Sequence, residues 1–224
     1  MTKTNTEIIQ LYLDLIEKKY NVKIKVLPKS QSKLLKILRP IIEIFNKNYW
    51  NGYITTLGNT IWVPENWLSN APERILSQLE VITHEAMHIK QAKEQTVLVH
   101  SVLYLFPQIL AIFSLLSFLA IPFGLNWLWC LLFLLFLAPI PAPFRYKKEL
   151  EGYRTKILFF KYVYKSDLGW ATNVIAEELA GPSYYFTWPN KKKIIEDLNN
   201  EKALQGEEYT QILIFLKSNN LLDS

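Results

Sequence analysis

Between Gln95 and Phe144 the chain carries no Asp, Glu, Lys or Arg, and no comparable gap in charge exists elsewhere in its 224 residues. About fifty uncharged residues rich in Leu, Phe and Trp are hard to bury inside one soluble domain of this size. The stretch therefore reads as a membrane element, with a buried soluble helix pair as the alternative. Val97 to Ile121 has about the length a helix needs to cross a ~30 Å hydrocarbon core. Pro122, Gly124 and Asn126 mark a turn, and Trp127 to Ile140 is a shorter second arm. Together they predict a transmembrane helical hairpin over 96–143 that enters and leaves on one side. The short second arm also allows a hairpin that dips into a single leaflet. Pro107 falls within the first arm, which membrane helices tolerate. Lys90 and Lys93 precede the hairpin; Arg145, Lys147 and Lys148 follow it. The positive-inside rule then places both flanks in the cytoplasm. The lipid bilayer is thus the first expected partner.

Just before this stretch stands Thr83-His84-Glu85-Ala86-Met87-His88, an H-E-x-x-H match that takes up two of the chain's three histidines. On a helix, residues four apart lie on one face, and two imidazoles so placed can hold one Zn²⁺ ion. Glu85 stands beside them as a general base for a water activated by the ion. The flanking sequence supports a helix from Pro72 to Glu94. Asn70 suits the N-cap, Pro72 the first turn, and Glu73 the positive end of the dipole. Ile75, Leu79, Ile82 and Ala86 recur at helical spacing and predict a buried face.

The rest of the chain predicts an α+β fold. Ile8, Leu11, Leu15 and Ile16 give an amphipathic helix over Thr4–Tyr20. Val22, Ile24 and Val26 alternate with polar residues as in a strand ended by Pro28. Ser32 to Asn48 reads as a helix interrupted at Pro40. The runs 53–57 and 60–63 flank Gly58-Asn59 as a β-hairpin. This order suggests a small zincin-like domain, helices plus a short antiparallel sheet, with the apolar hairpin inserted. The divisions are 1–95, the hairpin over 96–143, and a helical part over 144–224. In such a layout an edge strand above the metal can pair with an extended peptide, and the β-hairpin is the candidate. Beyond 144, further helices are expected at Ala171–Leu179, Lys191–Leu204 and Glu207–Lys217, with an aromatic loop from Gly181 to Pro189. The N-terminal residues lead into a charged amphipathic segment and lack the apolar core of a signal peptide.

A single cysteine, Cys130, leaves no disulfide framework and no thiolate zinc site. The net charge of +5 is mild, and no basic stripe with interleaved aromatics points to nucleic acid. A catalytic zinc needs a third protein ligand. A metzincin pattern would use Glu94, but the glycine it requires is Gln91 here. His100, at the start of the first arm, reads as an interfacial polar group. Glu149 and Glu151 remain, in a helix just past the hairpin. They diverge on that helix, and Glu149 shares its face with Tyr153.

His84-Glu85-Ala86-Met87-His88, then an apolar hairpin, then Glu149-Leu150-Glu151-Gly152-Tyr153 resembles the integral-membrane gluzincins, the peptidases related to the CAAX prenyl protease and the bacterial heat-shock membrane protease. That family carries H-E-x-x-H, two spans and a glutamate ligand in E-x-x-A-D. The resemblance covers roughly Leu76 to Thr155 and implies Glu149 as the third ligand. Gly152 replaces the family's alanine. Tyr153 replaces an aspartate that supports a zinc-binding histidine. Tyr153 is then a support for the histidine, a hydrogen-bond donor to the oxyanion, or a packing residue. The family's spans before the motif are absent here.

The implied function is zinc-dependent hydrolysis of a peptide or membrane-protein substrate at the cytoplasmic membrane face. The metal ligands are His84, His88 and Glu149, and the catalytic residues Glu85 and Tyr153. Two other classes fit the same motif. One is a non-catalytic membrane protein with a structural zinc site, for which Glu85 would be superfluous. The other is a metal-dependent hydrolase of a lipid or small molecule, served by Tyr184, Tyr185, Phe186 and Trp188. Neither the substrate nor the oligomeric state follows from the sequence.

Overall fold

The computed structural model describes residues 4–68, 72–184, 187–200 and 207–221. Asn70, Tyr185, Phe186 and the end of the helix expected over Lys191–Leu204 lie outside them. The described residues are mainly helical with one small sheet, an α+β arrangement.

The first helix, α1 (Asn5–Tyr20), starts at a capping box: Thr4 accepts from the Glu7 N–H, and Glu7 accepts from the Thr4 N–H in return. Its buried face is Ile8, Ile9, Tyr12, Leu13 and Ile16. Strand β1 (Lys25–Pro28) is followed by α2 (Lys33–Phe45), which Ser32 caps at the Leu35 N–H, and by the short α3 (Tyr49–Gly52). Next come β2 (Thr55–Leu57) and β3 (Thr60–Val63), joined by Gly58-Asn59 as expected. Gly58 has φ +58°, the left-handed region that suits glycine at the first position of a two-residue hairpin turn.

The sheet order is β1-β3-β2. It differs from the short antiparallel sheet expected: β2 pairs antiparallel with β3, but β1 pairs parallel with it, Lys25 opposite Thr60 and Pro28 opposite Val63. The chain leaves β1 through α2 and α3, comes back as β2 in the opposite direction, and regains the direction of β1 only after the Gly58-Asn59 turn, so β3 pairs parallel with β1. The first strand is also shorter than the alternation suggested, beginning only at Lys25.

The motif helix α4 (Ile75–Gln95) follows a single turn at Pro72–Arg74. Its apolar face, Ile75, Leu79, Ile82, Ala86 and Ile89, meets α1 and the inward residues Ile61 and Val63 of β3 in one core. Tyr12 of α1 and Thr83 of α4 share a 2.5 Å hydrogen bond inside it. A second core joins α7 (Pro143–Leu158), α8 (Leu168–Ala180) and α9 (Lys191–Leu198) through Tyr146, Leu150, Tyr153, Ile175, Leu179 and Ile194. The last helix, α10 (Glu207–Ser218), returns Ile212, Phe215 and Leu216 to the first core.

The uncharged stretch forms two arms, but its first arm is not the single helix expected over Val97 to Ile121. Val97–Leu105 forms a helix, α5, that ends at Phe106, whose backbone is extended (φ −73°, ψ 136°). Pro107 has no N–H to continue the helix and forces its predecessor away from helical geometry. The chain resumes as a tight 3₁₀ run, Gln108–Leu119, leading into α6 (Ala120–Phe123), bent 88° from α5. Gly124 (φ +96°) turns it into a second 3₁₀ arm, Leu125–Leu137. The two arms lie against one another, with Phe113 and Phe133 in contact at 5.5 Å between ring centroids. Among the described residues no single helix is long and apolar enough to cross a membrane; the bent pair of α5 with Gln108–Phe123 passes that test only jointly. Helix α5 itself packs on α4 and α7, which brings it to the site.

Candidate metal centre

His84 and His88 stand one turn apart on α4 and are both buried. Their Nε2 atoms lie 3.3 Å apart. Across from them α7 brings in Glu149, also buried, with Oε2 3.5 Å from His84 Nε2 and Oε1 3.6 Å from His88 Nε2. One donor atom from each residue falls within 4.8 Å of the other two, so the three could hold a metal ion. Glu151 points away and accepts from the Gln91 amide at 2.6 Å. Glu94 sits at the exposed end of α4 beside Lys90, 3.9 Å away. Of the three glutamates weighed as a third ligand, Glu149 is the one the fold brings to the two histidines.

The surroundings fit a cation. Glu149 Oε2 is buried without a hydrogen-bond partner among the described residues, while Oε1 accepts from the Tyr104 hydroxyl of α5. Burial pushes the Glu149 carboxyl up, but the His88 and His84 imidazoles and the Tyr104 hydroxyl outweigh it and hold it down at about 2. The free Oε2 faces the His84 imidazole at 3.5 Å. His88 is oriented from behind: its Nδ1 lies 3.2 Å from Gln91 Oε1, and the Gln91 amide donates to the Lys148 carbonyl and to Glu151. An oxygen acceptor on the far ring nitrogen fixes the tautomer that leaves Nε2 free to ligate.

No family model, curated protein or solved structure matches this chain. The site is therefore read from its own geometry.

Glycine at 152 has a specific cause. A Cβ there would lie 2.7 Å from His84 Cε1 and 2.8 Å from Nδ1, so only glycine lets α7 approach the ring this closely. The alanine of the resembled family does not fit here. Gly152→Ala is expected to displace His84, weaken metal binding and cost about 1–3 kcal/mol of stability through overpacking. Parallel metal titration and thermal melts of the variant check this; unchanged affinity would mean that the ring moves freely.

Tyr153 is buried with its ring edge-on to His84, centroids 5.0 Å apart, and its hydroxyl donates to Glu178 at 2.8 Å. Burial first, then Tyr184 and the carboxylates of Glu178 and Glu149, hold the Tyr153 hydroxyl neutral. Of the roles left open for it, the geometry corresponds to packing against the histidine. Tyr184, from the aromatic loop, instead lines the cleft over the site, and burial followed by the charge of Glu149 keeps its hydroxyl neutral too.

That cleft has a volume of about 640 Å³. The cluster and Glu85 lie along it, and Leu34, Leu57, Val97 and Leu105 give it apolar walls. Glu85 accepts from the Thr56 hydroxyl of β2 at 2.6 Å, so the sheet's edge strand is fastened beside the motif. Three groups escaped the sequence reading: Thr56, Tyr104 and the orienting role of Gln91. A signal for Tyr104 existed. Val97, His100, Ser101 and Tyr104 recur at i, i+3, i+4 and i+7, and all four line the cleft. His100 also lies 3.0 Å from the Lys148 ammonium.

Proposed function

We propose that this protein is a membrane-associated zinc peptidase of the gluzincin kind. The observation that carries the reading is Glu85, a carboxylate on an open cleft, outside but next to a buried His-His-Glu cluster. Two imidazoles and one carboxylate are a donor set that catalytic zinc sites use. A zinc ion held by His84, His88 and Glu149 would supply the Lewis acidity that makes water a nucleophile near neutral pH. Glu85 takes a proton as the water oxygen bonds to the scissile carbonyl carbon. It returns that proton to the leaving amine as the C–N bond breaks. Thr56 keeps the Glu85 carboxylate turned to the cleft. The outer edge of β2, which no other strand pairs among the described residues, offers backbone groups to an extended substrate. The site supports a base and an opening for substrate, neither of which a purely structural zinc site needs. The apolar cleft walls favour one second reading, hydrolysis of a lipid amide or ester.

A degenerate peptide library incubated with detergent-purified protein tests the proposal. Mass spectrometry should find cleaved peptides, lost with a chelator and restored by zinc. No cleavage, together with zinc-dependent turnover of a lipid substrate, would select the second reading.

The hairpin supports the membrane part of the proposal. At about 2 Å rise per residue in a 3₁₀ run, the 13 residues of Leu125–Leu137 reach about 26 Å, near the ~30 Å of a hydrocarbon core. Lys90, Lys93, Arg145, Lys147 and Lys148 lie on its flanks, and we place these in the cytoplasm. Full-length protein is expected to float with liposomes on a density gradient. Protein that stays at the bottom of the gradient and needs no detergent would refute membrane association through 97–140.

A further inference from the structure

Helix α2 is apolar on two sides. Leu35, Leu38 and Ile42 turn inward, with Leu35 fully buried. Leu34, Ile37, Ile41 and Ile44, spaced at i, i+3, i+7 and i+10, form an outer stripe. Their exposures of 54, 70, 57 and 76 % are far above what a soluble helix usually leaves bare. Lys33, Lys36 and Arg39 occupy the polar side against one acid, Glu43, which pairs with Arg39. Such a helix, with an uncovered apolar stripe and a cationic polar side, has the character of one that lies in a membrane interface. A second copy of this chain fits less well, because a symmetric contact along the stripe would bring the two rows of cations together. Anionic headgroups would neutralise them.

Leu34, at the start of the stripe, also lines the cleft with Leu57, Val97 and Leu105. Leu34 therefore belongs both to the exposed stripe and to the lining of the cleft, which it shares with Val97, His100, Ser101, Tyr104 and Leu105 of α5, the helix that leads into the hairpin. We infer that α2 is a second membrane contact, lying in the plane of an anionic leaflet and holding the mouth of the cleft at the lipid surface. The substrate then enters from the interface, as a chain segment emerging from the bilayer or lying on it. This rests on the reading of the chain as membrane-associated.

The test uses the full chain in a Cys130→Ser background, with an environment-sensitive fluorophore on one introduced cysteine. The variants are Ile41→Cys, Lys36→Cys and Leu132→Cys, reconstituted with phosphatidylserine-containing vesicles. The Ile41→Cys probe should shift to the blue and be quenched by lipids brominated near the headgroup more than by lipids brominated deep in the chain. The Lys36→Cys probe should stay in a polar environment, and the Leu132→Cys probe should be quenched by the deep label. A water-exposed probe at 41 beside a lipid-buried probe at 132 overturns the α2 contact and leaves the hairpin reading standing. Water-exposed probes at both positions overturn both. Equal deep quenching at 36 and 41 overturns the in-plane placement. A blue shift at 41 that grows with protein concentration in detergent, without vesicles, gives the surface to a second copy and overturns the lipid assignment.

Discussion

Protein purified with Glu149→Gln is expected to carry no zinc, while Glu151→Gln keeps it. The two side chains are two residues apart on α7 and diverge by about 200° around the helix. Only Glu149 turns into the cluster, with its Oε2 unpartnered and facing His84 Nε2 at 3.5 Å. Glutamine there keeps the size of the side chain and an oxygen that can accept from Tyr104, but it removes the negative charge. The affinity should fall by more than the roughly 10–100-fold that loss of an outer-shell partner costs. Glu151→Gln still offers an oxygen to the Gln91 amide, so the support behind His88 survives. Metal analysis of the purified proteins reads the difference directly. Thermal melts give a second readout. A ligand at 100 times its Kd stabilises the folded state by about 2.7 kcal/mol, so zinc should raise the melting temperature of wild type and of Glu151→Gln but not of Glu149→Gln. Zinc retained in Glu149→Gln and lost in Glu151→Gln would move the ligand by two positions.

The parts of this site that were legible in the sequence are those with a helical period. His84 and His88 recur at one turn and the apolar face of α4 repeats beside them; period alone left Glu149 and Glu151 both open, and the resemblance to an E-x-x-A-D pattern implied Glu149. The Gly58-Asn59 turn was legible because the backbone it requires is one that glycine adopts at no steric cost. What was not legible depended on tertiary contacts. The β1–β3 pairing is parallel because the second strand of the hairpin, not the first, docks beside β1, which alternation within a strand does not encode. Gln91 looked like a missing glycine when set against a metzincin pattern; its use, holding His88 Nδ1, depends on α7 presenting the Lys148 carbonyl and Glu151 beside it. The greatest difference is in Val97–Leu105. Uniform apolarity made it look like the first half of a span, and Pro107 looked tolerable within it. In the fold Pro107 ends the helix, and the His100, Ser101 and Tyr104 stripe faces the cleft rather than the apolar hairpin.

Glu85→Gln is expected to abolish hydrolysis while leaving the zinc content and the fold unchanged. The warrant lies in what Glu85 touches. Its Oε2 accepts from the Thr56 hydroxyl at 2.6 Å, and Glu85 does not belong to the His84, His88 and Glu149 cluster. Glutamine at this position can still accept from Thr56, so β2 stays fastened to α4. It cannot take up a proton, so the step in which water loses one is no longer assisted. General-base assistance of this kind is worth about 10²–10⁴-fold, enough to put the variant below detection in a peptide-cleavage assay of a slow enzyme. Thr56→Val should fall between the two: the carboxylate remains but loses the bond that orients it, so the turnover number drops while zinc stays bound. Measuring zinc and cleavage side by side in the three proteins decides the matter. Lost zinc in Glu85→Gln would make Glu85 part of the metal shell and end its assignment as base. Full activity in Glu85→Gln with normal zinc would mean that another group accepts the proton, and the mechanism proposed above would fail even though the metal centre stood.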